Sequence, residues 1–338
     1  MKNLATIQKI KNIRKHPNAD SLCVGNVLGW QVVFNNEKDS YKEDDLVIYT
    51  VIDTVLPDNA QFEFLRNKKF KIKPIKLRGI ESAGIIFPVN TLTFFGYDMR
   101  EPLSEGMDVT DIIGVKHFEK PVPFELAGQA IGTIPGFVII TDEDNLRTYP
   151  NAIPEMYGRQ FYITRKDDGS SGTFLIKGGE FNVCSRRINL KENESNGFWK
   201  MAHKYDIKNV LLKTFPDTDI AIQGEVCGPG IQKNKLGLTS LEFHLFNIFD
   251  ITKRTYLDYD KIVQFSQENN IPMVTVISEG VAFGHNLEEL VQLANQQKYP
   301  TGGPAEGIVI RPKESFLSNE LGKAWSGKVL NELYIEKD

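Results

Sequence analysis

Apolar and polar residues in the first third of the chain fall into short runs without a helical period. Ser21–Val24, Gln31–Phe34, Leu46–Val51, Phe70–Leu77 and Gly84–Val89 are rich in β-branched and aromatic side chains, with turn residues between them. That spacing predicts a small β-barrel or sandwich. Breakers then cluster between Phe118 and Gly136, at Pro121, Pro123, Gly128, Gly132, Pro135 and Gly136, which reads as a linker. A domain boundary is therefore expected near residue 120, giving residues 1–120 and 121–338. Beyond it the pattern mixes strands and helices. Phe161–Ile163, Thr173–Ile176, Phe181–Cys184, Ile220–Val226, Phe243–Phe249 and Gly307–Arg311 read as strands. Asn286–Ala294 reads as a helix with Asn286 as N-cap and Glu289 three residues on. Asp258–Asn269 is a second helix, expected to bury Ile262, Val263 and Phe265. The polar tract Lys191–Gly197 is expected to be a mobile loop. The fold class is α+β.

Composition narrows the function classes. The 338 residues carry a net charge of -4, so the molecule as a whole is not a positive field for nucleic acid. Basic residues do gather locally. Lys71, Lys73, Lys76 and Arg78 interleave with apolar positions, and Arg186 and Arg187 follow a strand. Such a patch suits either phosphate contacts or a solvated strand edge protected from aggregation. Cys23, Cys184 and Cys227 form no metal-ligand or disulfide spacing, which points to an intracellular protein, cytoplasmic or nuclear. No apolar run approaches a membrane span, and Met1–Thr6 has no apolar leader segment.

One turn carries the chemistry. Apolar residues lead into Lys166-Asp167-Asp168-Gly169, and a second strand-like run follows. A lysine held at such a turn can attack a phosphoanhydride, although the four residues alone also fit an ordinary surface hairpin. Further segments follow in order: Ser185-Arg186-Arg187, Gly224-Glu225, Phe246 to Asp250, Glu306-Gly307 and Gly327-Lys328. In this order, with strand context, the set resembles the covalent nucleotidyltransferase superfamily of polynucleotide ligases and RNA capping enzymes, from about residue 133 onward. The N-terminal runs, with His16-Pro17-Asn18-Ala19-Asp20 and Lys76-Leu77-Arg78-Gly79, look like an oligonucleotide-binding (OB) module related to tRNA-binding domains. A barrel before the catalytic domain is similar to one branch of ATP-dependent RNA ligases. In DNA ligases and capping enzymes the barrel follows the terminal lysine motif, and here ten residues follow Lys328. A DNA ligase, a guanylyltransferase and a non-catalytic RNA-binding scaffold remain as alternatives.

The resemblance implies a ligase-type domain of antiparallel sheets with flanking helices, and a role for each residue. Lys166 would take AMP from ATP. A free lysine has a pKa of about 10.4, and lowering it by two to three units corresponds to about 3–4 kcal/mol; desolvation, a metal ion, Arg186 or Lys328 would supply this. Glu306 would hold Mg²⁺ or Mn²⁺, and Glu225 either the ribose hydroxyls or a second metal. Phe249 would stack on adenine, with Phe246 placed three residues away and so on the opposite strand face. Thr164 and Arg165 would select the purine, and Arg165, where a glutamate is common, would help depress the lysine pKa. Gly169 would complete the ATP-binding turn. Arg186 and Lys328 would meet phosphates, with Lys323 a possible second lysine because position 330 is Leu330. Lys71, Lys73, Lys76, Arg78 and Arg187 would contact RNA, expected as a nicked or broken duplex or an RNA/DNA hybrid. The protein is expected to act as a monomer.

Overall fold

The structure is a computed structural model. It describes residues 3–36, 40–73, 75–118 and 128–334, with only the backbone of Lys76 and Glu81. The chain divides into two compact units, Met1–Pro121 and Val122–Asp338.

Among its described residues the first unit holds eleven short strands: β1 (Ala5–Lys9), β2 (Lys11–Lys15), β3 (Leu22–Val27), β4 (Trp30–Asn35), β5 (Leu46–Thr50), β6 (Thr54–Val55), β7 (Lys71–Ile72), β8 (Ile75–Leu77), β9 (Ile80–Ser82), β10 (Ile85–Pro88) and β11 (Lys116–His117). They pair as β1-β5-β10, β2-β3-β4, β11-β6-β7 and the hairpin β8-β9. In β4 the side chains of Trp30, Val32 and Phe34 are buried and those between them are half-covered, the period of a strand with one core face. The core joins Ile7, Ile48, Phe62, Phe87, Leu92 and Val109. A short helix α1 (Thr110–Ile113) closes it, its Thr110 Oγ1 accepting the amides of Leu4 and Ala5 at 2.8 and 3.0 Å. The single strand expected over Phe70–Leu77 is two strands in different sheets. Pro74 stands between them in the sequence, and a proline has no N–H for a ladder.

The second unit is built on two sheets. A seven-stranded sheet runs β12 (Ala130–Thr133), β17 (Ile188–Leu190), β16 (Glu180–Ser185), β15 (Ser170–Lys177), β18 (Ile220–Cys227), β19 (Glu242–Asp250) and β20 (Thr255–Tyr256). A five-stranded sheet runs β13 (Asp144–Asn145), β23 (Gly327–Leu330), β22 (Gly307–Pro312), β14 (Phe161–Lys166) and β21 (Val276–Gly280). Helices α2 (Gly197–Lys204), α3 (Ile207–Thr214) and α4 (Tyr259–Asn269) cover one face of the large sheet, packing Phe198, Leu211 and Phe265 with Phe174, Ile222 and Phe243. Helix α5 (Leu287–Gln296) packs Leu290 and Ala294 with Ile163, Ile308, Ile310 and Val329 of the smaller sheet. Its Asn286 and Glu289 form the expected capping box.

Three expectations change here. Part of the linker read over 118–136 lies outside the described residues, but Ala130–Thr133 is an edge strand paired with β17 across a register shift. The tract Lys191–Gly197 is ordered: the buried Asn196 caps α2 by accepting from Phe198 N and Trp199 N. In α4 the buried positions are Tyr259, Ile262 and Phe265, while Val263 is half-covered.

Two glycines let the strands approach. A Cβ on Gly169 would lie 2.5 Å from Val226 O and 2.7 Å from Cys227 Sγ, and one on Gly307 (φ +153°) would lie 2.2 Å from Val329 O. Gly307→Ala must therefore push β22 away from β23. It should lower the unfolding free energy by about 3 kcal/mol, read as a lower urea midpoint for the second unit; an unchanged midpoint contradicts the close approach.

Candidate active site

Lys166 ends β14 opposite Gly307, the first residue of β22. Glu306 immediately precedes that strand, so the register fixes its place: Lys166 Nζ lies 2.6 Å from Glu306 Oε1. The main chain of Glu306 is tied on both sides. Its N–H donates to the Tyr299 hydroxyl at 3.1 Å, and its carbonyl accepts from Asn331 N at 3.0 Å. The same hydroxyl donates to Lys166 O at 2.9 Å.

Burial alone would lower the Lys166 ammonium, but Glu306, Glu225 and Glu143 outweigh it and hold its pKa above the ordinary lysine value. This corrects the expectation of a depressed pKa. Carboxylates surround the amine, while Arg186 and Lys328 both turn to Asp142, at 3.2 and 3.7 Å. Burial, reinforced by Glu306, Asp167 and Glu143, pushes the Glu225 carboxyl up to about 8 even though Lys166 opposes the shift. Carboxylates crowded to that degree form a hard-oxygen donor set with excess negative charge, which fits a divalent cation.

Asp167, next to the nucleophile, is buried between two partners. Its Oδ1 accepts from Arg165 Nε at 3.0 Å, and its Oδ2 lies 2.8 Å from His244 Nδ1. Burial would lower the His244 imidazolium, but bonds to Asp167 and Glu242 hold its pKa above the usual histidine value. Arg165 therefore serves the turn, a correction to its expected roles toward purine and lysine. Strand alternation points it away from Lys166, and its guanidinium lies 5.4 Å from the centre of the Tyr299 ring. Thr164 is buried, its hydroxyl 3.4 Å from Val309 O. Gly169 is the point where the turn meets β18.

The segment Asp142–Asp144 gathers the remaining cations. Asp142 takes Arg186 and Lys328, Glu143 takes Arg311 at 2.5 Å, and Asp144 takes Lys323 at 2.9 Å. Burial would raise the Glu143 carboxyl, yet Arg311, Lys328 and Lys166 keep it below the usual range. Lys323 thus joins Lys328 on one acidic segment.

Phe249 is not placed as expected. Its ring is 1 % exposed within an apolar cluster of Val138, Leu175, Ala221 and Ile251, with Tyr256 at 5.1 Å. The β18–β19 register skips Phe246, so the bulge there resets the alternation. Phe243, Leu245 and Ile248 pack under the helices, and neither Phe246 nor Phe249 joins them. Phe246 instead lies 5.4 Å from the Arg311 guanidinium.

In the first unit, Lys71 Nζ sits 3.8 Å from the centre of the Phe118 ring, and Lys73 is half-buried. The side chain of Lys76 lies outside the described residues. Arg78 adopts φ +43° in a turn held by His16 and Asn18: His16 Nε2 lies 3.1 Å from Leu77 O, and Asn18 Nδ2 donates to Arg78 O at 3.0 Å. In the second unit Arg187 is half-buried, and its carbonyl accepts from Ile134 N at 2.8 Å. Sequence reasoning missed Tyr299, the Asp142–Asp144 segment, Arg311 and His244. Only the run of three acids, 142–144, carried a sequence signal.

Comparison with known proteins follows this geometry. A family model described as RNA ligase matches residues 159–328, and an OB-fold domain model matches residues 4–89. A search of curated proteins finds no match. The chain is similar to solved structures of Naegleria gruberi RNA ligase over nearly the whole length of both. A lysine-to-methionine variant with AMP and Mn has TM-score 0.82 and 25 % identity, covering 100 % of this chain and 99 % of that one. A lysine-to-alanine variant with ATP and Mn has TM-score 0.81 and 26 % identity, covering 99 % of each chain. The form with PPi has TM-score 0.80 and 26 % identity, covering 99 % of this chain and 98 % of that one. With the family match spanning half its length and a lysine–carboxylate centre inside the matched segment, this chain belongs to the RNA ligase family.

Proposed function

We propose that the protein is an ATP-dependent RNA ligase that joins a 3′-hydroxyl to a 5′-phosphate through lysyl-AMP. The observation that carries this reading is Lys166 Nζ in contact with Glu306 at the junction of β14 and β22. The amine first loses a proton to solvent, a loss that Glu306 and Glu225 oppose while they face the ammonium. The Nζ lone pair then forms a bond to the α-phosphorus of ATP, and the bond to the β-phosphate oxygen breaks. Pyrophosphate leaves with that electron pair. An oxygen of the RNA 5′-phosphate next bonds to the α-phosphorus as the Nζ–phosphorus bond breaks and its electron pair returns to the amine. The 3′-hydroxyl then loses its proton and bonds to the 5′-phosphorus as the bond to the AMP oxygen breaks, and AMP leaves with that electron pair. Glu306 and Glu225 would hold Mg²⁺ or Mn²⁺, whose charge offsets the negative charge that builds at the α-phosphate.

Arg186, Lys323 and Lys328 present the charge that phosphates need, and Asp142 and Asp144 neutralise them until phosphate takes their place. Phe246, beside Arg311, is the better placed of the two phenylalanines to meet the adenine. The first unit would grip RNA with Lys71, Lys73, Lys76 and Arg78, the substrate being a broken duplex or an RNA/DNA hybrid. We further propose action as a monomer inside the cell, a reading supported by three cysteines without disulfide spacing.

With α-labelled ATP and Mg²⁺, wild type should retain label on the denatured chain, whereas Lys166→Ala should lose it by at least about 10³-fold. Equal labelling of the two would refute the role of Lys166. Asp142→Asn removes the half-buried carboxylate that faces Arg186 and Lys328, so the ATP concentration giving half-maximal labelling should drop about three- to tenfold, consistent with roughly 0.3–0.7 kcal/mol for each of the two ion pairs. A rise would show that Asp142 assists ATP binding. For the first unit, RNA affinity should decline steeply with salt, and Lys73→Ala and Arg78→Ala should each reduce the log–log slope by about 1. Unchanged slopes would exclude phosphate contacts there.

A further inference from the structure

We infer that Tyr299 is a positioning residue for adenylyl transfer, its hydroxyl locking the main chain of the nucleophile to the main chain of the carboxylate that faces it. The inference rests on the reading of Lys166 as the AMP acceptor. A phenol has one hydrogen to donate and a lone pair to accept with, and both are used here. Tyr299 Oη donates to Lys166 O at 2.9 Å and accepts from Glu306 N at 3.1 Å. These atoms belong to strand ends 140 residues apart in sequence, and the bridge lies just beyond the last register pair, Lys166 with Gly307.

The tyrosine is itself rigid. Its N–H donates to Gly303 O at 2.9 Å, and its carbonyl accepts from Gly302 N at 2.9 Å, closing a tight turn. The ring is 2 % exposed and packs with Cys227, Leu236 and Ala305. Cys227 lies two residues beyond Glu225 on β18, so one ring touches the strand ends that carry Lys166, Glu306 and Glu225. The lever arm is what makes this matter. Nζ sits at the far end of a long side chain, so a backbone tilt of about 10° at Lys166 displaces it by about 1 Å. A displacement of that size can cost on the order of 10²-fold in an in-line attack. A phenylalanine would preserve the ring packing and remove both hydrogen bonds.

The test compares full-length wild type and Tyr299→Phe in single-turnover formation of lysyl-AMP, alongside sealing of RNA that carries a preformed 5′-adenylyl group. The second reaction needs no lysine attack and reports the folded, RNA-competent enzyme. Tyr299→Phe should lower the maximal adenylylation rate about 30- to 100-fold. The half-saturating ATP concentration and the sealing of pre-adenylylated RNA should both stay within about threefold. Adenylylation at the wild-type rate would overturn the inference. So would equal loss of both reactions, which marks a merely structural tyrosine or an unfolded variant. If wild type itself takes no label from ATP, the ligase reading fails first, and that outcome is distinct from the other two.

Discussion

The contact between Lys166 and Glu306 is the constraint on which the rest of the second unit depends. An ammonium and a carboxylate 2.6 Å apart, each about three-quarters covered, persist only if neither is left alone, because a buried unpaired charge is far costlier than a buried pair. The pair cannot be made locally, since its members close opposite ends of two neighbouring strands. Register therefore becomes a chemical requirement. A slip of one residue between β14 and β22 would turn Lys166 toward the helix-covered core. The glycines beside the two charged residues serve this register: Gly169 and Gly307 bring β18 and β23 close enough for their strand ends to share one site.

The same contact explains why the lysine is held charged. A nucleophilic amine must be neutral at the moment of attack, yet Glu306, Glu225 and Glu143 all favour the ammonium. Those carboxylates are also the donors that a divalent cation needs. On the proposed reading, ammonium and metal would draw on one set of oxygens, and whatever drew Glu306 and Glu225 away from the amine would also make its proton easier to lose. Control of the nucleophile then lies in competition for carboxylates. Arg165, the cation that sequence places beside Lys166, has no part in it, because Asp167 has taken its guanidinium.

How much of this could be read from the sequence follows from where each residue sits. Lys166, Glu225, Glu306 and Lys328 were legible because they fall, in order and beside strand-like runs, in segments that resemble the motifs of polynucleotide ligases. Phe249 was misread because a strand of period two predicts opposite faces for residues three apart, and a bulge at Phe246 cancels that prediction. A bulge leaves no mark in composition. Tyr299 was invisible for another reason. Lys298-Tyr299-Pro300-Thr301-Gly302-Gly303-Pro304 reads as an ordinary turn, and only the folded chain shows that its hydroxyl reaches main-chain atoms of two separate strands. The main strands of the second unit were legible as apolar runs, whereas α2 and α3 were not, because the polar tract before them resembles a loop until Asn196 is seen as a cap.

The acidic segment shows how such a site can stay folded and still admit a polyanion. Lys166, Lys323, Lys328, Arg186 and Arg311 would repel one another in a shared cleft if nothing offset them. Asp142, Glu143 and Asp144 offset four of the five through charge-assisted contacts, and Glu306 takes the fifth. On the proposed reading, phosphate oxygens would replace those carboxylates, and the cations would exchange one set of charge-assisted hydrogen bonds for another of similar strength. The net gain on binding is then smaller than five exposed cations would give. That restraint suits an enzyme that must release pyrophosphate and AMP within one cycle, because tightness spent equally on substrate and transition state would not speed the chemistry. Only contacts that improve as the phosphorus is attacked can do so, and those fall to the groups held nearest it: Lys166, and the carboxylate fixed against it.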